Sequence, residues 1–169
     1  MRKPPRRPVV GVMGPGAGAR PEDLENARRL GAGIARAGWV LLSGGQAVGV
    51  MDAASRGAAS AGGLVVGVLP GDDPSNASEA LDVAIVTGMG SARNNVNVLS
   101  SDVVVACGMG AGTASEVALA LKAGKPVVLL GCGPDAEALF AGLGPVTVAA
   151  TPEDALAAVQ AALPDLTAP

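Results

Sequence analysis

Seven short runs of Val, Leu, Ile and Ala alternate along this chain with stretches of helical spacing, and most of the runs end at glycine. No other feature restricts the fold so strongly. The runs are residues 9–13, 39–42, 64–69, 83–86, 103–106, 127–130 and 146–148. They are continuously apolar instead of alternating, which is the signature of strands buried on both faces. Such strands belong to a parallel sheet with helices on either side. Between the first two runs, Leu24, Ala27, Leu30 and Ile34 recur at helical spacing, Pro21 opens the segment and Gly38 closes it. Further helices are expected at 48–61, 91–100, 113–123, 135–140 and 152–163, with a polar loop or short helix at 72–80. The fold class is therefore α/β: a single-domain, Rossmann-like, doubly wound parallel sheet of about seven strands.

The chain has 169 residues, enough for one domain. A basic, proline-rich tail is expected over residues 1–8, and a ligand-binding domain over 9–165. With one Phe, one Trp and no Tyr, the core must rest on aliphatic side chains and close backbone packing. The tail carries Arg2, Lys3, Arg6 and Arg7 and reads as solvated and flexible. A net charge of −3 and the lack of aromatic stacking platforms argue against a nucleic-acid partner. No apolar run is long enough to span a membrane and no leader pattern follows the basic start, so a cytoplasmic location is expected. Cys107 and Cys132 lack metal-site spacing and read as buried free thiols. The absence of histidine removes imidazole general-base chemistry and the common zinc sites.

Four glycine-rich loops follow strands, and a doubly wound sheet brings such loops to one edge. They place Gly14, Gly16 and Gly18, then Gly44 and Gly45, then Gly88, Met89, Gly90 and Ser91, and finally Gly110 and Gly112, among the expected ligand- or phosphate-binding residues. Backbone N–H groups freed of side chains, with helix N-termini behind them, suit an anion. The first loop is GxGxG, not a full dinucleotide fingerprint, and no acid stands after the second strand to grip a ribose. Thr113-x-x-Glu116 has the spacing of a capping box, which alone would account for both residues. Arg93, with Asn94 beside it, opens a helix, where a guanidinium can clamp a phosphate bidentately.

Together, Gly110-Ala111-Gly112-Thr113-Ala114-Ser115-Glu116, the upstream Arg93, Asp102 opening the fifth strand, and the run Gly44-Gly45-Gln46-Ala47-Val48-Gly49-Val50-Met51 resemble the lonely-guy superfamily. That superfamily includes the cytokinin riboside 5′-monophosphate phosphoribohydrolases and the molybdenum cofactor carrier proteins. The resemblance extends from residue 9 to residue 131. It implies that Arg93 and Glu116 would be catalytic in a hydrolase, with phosphate held at Gly112 and Thr113. The hydrolase pattern is altered in several places: Gly108 and Met109 stand for its Pro-Gly, Ser115 for the first Glu, Asn94 for a Lys, and Ser91-Ala92 for Met-His. These features are more similar to the carrier branch. Two functions remain open. One is a carrier that needs no cofactor of its own and takes molybdenum cofactor, or a nucleotide, as cargo. The other is a hydrolase releasing base and ribose 5-phosphate. Both imply a phosphorylated small molecule, no metal held by the protein, and a homodimer or homotetramer, for which helices 48–61 and 113–123 offer apolar faces. The older "lysine decarboxylase" label for such chains finds no support, because Lys3, Lys122 and Lys125 all lie away from the glycine loops.

Overall fold

A computed structural model describes residues 6–163. The strands β1 (Val9–Met13), β2 (Val40–Ser43), β3 (Leu64–Leu69), β4 (Val83–Val86), β5 (Val103–Cys107), β6 (Val127–Leu130) and β7 (Val146–Ala149) form one sheet in the order β4-β3-β2-β1-β5-β6-β7. All six pairings are parallel. The helices are α1 (Pro21–Arg36), α2 (Gly49–Ser60), α3 (Arg93–Ser100), α4 (Ala111–Lys122), α5 (Pro134–Leu143) and α6 (Pro152–Ala162), with a single 3-10 turn at Gly90–Ala92 leading into α3. The 72–80 segment is a loop, pinned by a bridge between Gln46 and Ala77.

Side chains alternate across the sheet into two cores. Val10 and Val12 of β1 and Val103, Val105 and Cys107 of β5 pack with α1, α2 and α6. Met13, Val104 and Ala106 pack on the opposite face with α3, α4 and α5. Strand order grows outward from β1 in one direction and restarts at β5 in the other, so the crevice between their carboxyl ends is the topological switch point where such sheets bind ligands.

The scarcity of aromatics is met by close backbone packing. A Cβ on Gly31 of α1 would lie 2.1 Å from the Ala54 carbonyl oxygen of α2, and one on Gly57 would lie 2.0 Å from that of Arg28. Glycine lets the two helices approach until backbone meets backbone, and dispersion contact replaces what large side chains would supply elsewhere.

One expectation needs adjustment here. Arg6 and Arg7 are tied down instead of lying free: Arg6 donates to both carboxylate oxygens of Asp102 at 2.6 and 3.1 Å, and Arg7 Nε donates to the Gly38 carbonyl at 2.9 Å. The same Asp102 carboxylate accepts from the Val9 amide, so it anchors the start of β1 against the start of β5. Residues 1–5, with the rest of the basic tail, and residues 164 and 165 lie outside the described residues. Cys107 and Cys132 are buried and free, as expected. Burial pushes their thiols up to about 12 and about 11 respectively, so both stay protonated thiols at neutral pH.

Candidate functional site

A cavity of ≈ 350 Å³ opens at the switch point, over the carboxyl ends of β2, β1 and β5. Its walls bring together residues from four separate stretches of chain. Gly14 and Gly16 come from the first loop, Gly44 from the second, Arg93 and Asn94 from the start of α3, and Gly112, Thr113 and Glu116 from the start of α4.

Other expected residues do not line it. Gly18 is outside its wall. Gly45 is turned into the protein, where a Cβ would lie 2.9 Å from Gly67 Cα. Gly110 is the residue before α4. Gly88, Met89, Gly90 and Ser91 are exposed beyond the cavity because β4 is an edge strand, three places from β1. Their loop is held by its neighbour instead: the Gly88 amide donates to the Gly71 carbonyl at 2.7 Å and the Gly90 amide to that of Pro70 at 2.9 Å.

Val12, Met13, Ala17, Gln46, Val48 and Met51 complete the wall. Residue chemistry gave no reason to single them out, since apolar and amide side chains carry no reactive signature. For Gln46, Val48 and Met51 the available signal was their place directly after the second glycine loop. At Gly44 a Cβ would lie 2.6 Å from Met51 Sδ and 2.7 Å from Arg93 Nη2, so the ends of both side chains would have to shift to admit it.

The two helix N-termini at the cavity differ. At α2 the Val50 amide donates to the Pro15 carbonyl at 3.0 Å, so the first loop already uses that end. At α4 the cap is Gly110, which has no side chain to offer. The capping box expected from Thr113 and Glu116 is therefore absent. The helix begins earlier, at Ala111, which puts both residues inside it. Their side chains are left for the cavity, and the first-turn amides of α4 keep their partial positive charge.

Arg93 and Glu116 are almost fully buried, at 7% and 6% exposure, and so is Thr113 at 2%. Arg93 Nη1 donates to Asn94 Oδ1 at 2.7 Å, and Nη2 makes a long bond to the Gly44 carbonyl at 3.4 Å. Its approach to Glu116 is loose: Nη1 lies 3.8 Å from Oε1, outside hydrogen-bond range. Asn97 Nδ2 donates to the same Glu116 oxygen at 3.2 Å. Among the described residues, three buried side-chain polar atoms have no partner: Arg93 Nε, Thr113 Oγ1 and Asn97 Oδ1. Orphans of this kind are rare in folded proteins, and here they cluster around one cavity.

Burial dominates the electrostatics of the pair. It lowers the guanidinium of Arg93 against the pull of Glu116. It also pushes the Glu116 carboxyl up to about 7, outweighing the hydrogen bond from Asn97 and the attraction of Arg93. Asn94 Nδ2 donates to Ser115 Oγ at 3.0 Å, and Ser115 Oγ donates to the Gly112 carbonyl at 2.6 Å. The Lys and Glu positions of the hydrolase pattern are thus in contact, and here a neutral pair fills both. Among the described residues no group of three His, Cys, Asp or Glu side chains is placed to hold a metal ion. No helix there is long and apolar enough to cross a membrane.

Comparison with known proteins matches residues 7–156 to the model of the SLOG cluster4 family. A molybdenum cofactor binding protein from the phototrophic bacterium Rippkaea orientalis is 56% identical, with a TM-score of 0.91 over 92% of this chain and 97% of that one. The molybdenum cofactor carrier protein of Chlamydomonas reinhardtii is 55% identical, with a TM-score of 0.88 over 93% of this chain and 98% of its own. A cytokinin riboside 5′-monophosphate phosphoribohydrolase of Mycobacterium marinum is 46% identical over 66 residues, which are 39% of this chain and 35% of that enzyme. The chain belongs to the SLOG cluster4 family, within the superfamily of lonely-guy and molybdenum cofactor carrier proteins that its motifs resemble.

Proposed function

We propose that this protein is a carrier of molybdenum cofactor, holding the phosphorylated pterin in the switch-point cavity as cargo. The observation that carries this reading is the set of unpartnered donors there. Arg93 Nε and Thr113 Oγ1 are buried without partners, beside the uncapped start of α4. A buried donor without an acceptor costs about 1–3 kcal/mol. An anion that accepts from these groups recovers that cost, and the helix dipole adds to it. The phosphate would sit at Gly112, Thr113 and Arg93, bordered by Asn94. Gly14, Gly16 and Gly44 would let the ligand approach the backbone, and Val48 and Met51 would pack on its ring system. The likeness to two molybdenum cofactor proteins over nearly the whole chain supports the choice of cargo.

The protein would act in the cytoplasm as a homodimer or homotetramer. The apolar surface available for that is not mainly on α2 and α4. Exposed large apolar side chains lie on Val83, Ile85 and Val86 of β4 with Met89 just after it, on Leu24 of α1, on Leu99 of α3, and on Leu139, Leu143 and Val148 at the opposite edge.

To test the reading, pure protein is mixed with cofactor released from a molybdoenzyme and passed through gel filtration. Cofactor should elute with the protein and be able to reconstitute a cofactor-free molybdoenzyme. Elution as free cofactor alone would refute the carrier. A second reading, nucleoside 5′-monophosphate hydrolysis, rests on the retained Arg93 and Glu116 and on the partial match to the phosphoribohydrolase. It requires AMP or a cytokinin riboside monophosphate to yield free base and ribose 5-phosphate, with loss of turnover in Glu116→Ala.

A further inference from the structure

We infer that the cavity takes its anion together with a proton on Glu116, so that the ligand is held below neutral pH and loosened above it. This rests on the anion-binding reading of the same site. Two geometric facts support it. Glu116 Oε1 lies 3.8 Å from Arg93 Nη1, so an anion drawn to Arg93 must come close to the carboxylate. An ionised Glu116 would repel that anion, and a neutral one would not. Asn97, for its part, is half-used: Nδ2 donates to Oε1, while its buried Oδ1 has no partner. A protonated carboxyl supplies the missing donor, since an acid and an amide pair through one bond in each direction. The ionised carboxylate has no proton to give, and Oδ1 stays orphaned.

Few other charges act on Glu116. α3 supplies Arg93 and the neutral Asn97. Lys122 is at the far end of α4. Cys107 of β5 faces the other core, and β6 carries no ionisable side chain. Asp135 and Glu137 of α5 exert no pull on Glu116, and Asp52 of α2 is engaged by Ser78 and Arg56. The carboxyl's rise to about 7, caused by burial, places its titration in the physiological range.

Sulfate is a suitable probe because its charge is constant between pH 6 and 8. Titration calorimetry with the full chain should show affinity falling about tenfold from pH 6 to pH 8. Runs in buffers of different ionisation heat should show uptake of close to one proton per sulfate at pH 8. Glu116→Gln should bind sulfate equally at both pH values. If that variant does not fold, proton uptake by the wild-type protein decides alone. Sulfate bound with no pH dependence and no proton uptake would overturn the inference and leave the carrier standing. Failure to bind sulfate at any pH would overturn the inference and the anion site together.

Discussion

Replacing Glu116 by Gln should make the ligand-free protein more resistant to unfolding at pH 8 than the wild type, by an amount that disappears in acid. The carboxyl titrates at about 7 in the folded chain because burial disfavours its charge, against an ordinary value of 4.5. The folded value lies above the unfolded one. The stabilising contribution is therefore complete below 4.5 and is lost as pH rises through 7. At 1.36 kcal/mol for each unit of pKa, the full swing is about 3 kcal/mol. For a chain of this size that corresponds to roughly 6–12 °C in Tm. Glutamine keeps the shape and the hydrogen-bonding capacity but cannot ionise. Carboxylates that stabilise in the opposite sense, such as Asp102, are present in both proteins and cancel in the difference. Urea unfolding followed by circular dichroism at pH 5, 6, 7 and 8 gives the two curves. Their separation should grow with pH in favour of the variant. Parallel curves would show that Glu116 ionises in the folded chain as freely as in water, and the account of its burial would fail.

Two further substitutions probe the packing and the orphaned donors. Gly31→Ala would gain about 1 kcal/mol of helix propensity. It would also drive a Cβ to 2.1 Å from the Ala54 carbonyl oxygen, so a net loss of about 1–3 kcal/mol is expected by chemical denaturation; a more stable variant would mean that α1 and α2 can part cheaply. Thr113→Val removes a buried hydroxyl that has no partner. It should raise ligand-free stability by up to about 1 kcal/mol while weakening sulfate binding, and equal sulfate affinity in both proteins would exclude the hydroxyl from the anion site.

Much of the architecture was legible because each strand is buried on both faces. Val103-Val104-Val105-Ala106 has no polar interruption, as a strand covered on both faces requires, and its alternation with helical stretches points to a parallel sheet. The cavity was only partly legible. Gly14, Gly44, Arg93 and Glu116 could be picked out, because glycine after a strand and charge beside it carry a chemical meaning. Strand order could not be read, and strand order decides which loops converge. The loop at Gly88 looks like the others in sequence, but its strand pairs at the sheet edge, which takes it away from the switch point. The spacing of Thr113 and Glu116 misled for a related reason. A capping box is defined by where the helix starts, and α4 starts at Ala111, so both side chains were free for another use. Asn94 and Ser115 looked like two separate departures from the hydrolase pattern. Their hydrogen bond shows that they are one exchange, of a charged pair for a neutral one.

The central claim is that the switch-point cavity itself holds the cargo. The measurement that tests it most directly is equilibrium binding of molybdenum cofactor to the wild-type protein and to Gly44→Val, whose side chain would project among Met51 and Arg93. The account predicts saturable binding of one cofactor per chain to the wild type and loss of at least tenfold in affinity for the variant, with the fold intact by circular dichroism. Equal affinity of the two proteins would place the cofactor elsewhere on the molecule and contradict the account.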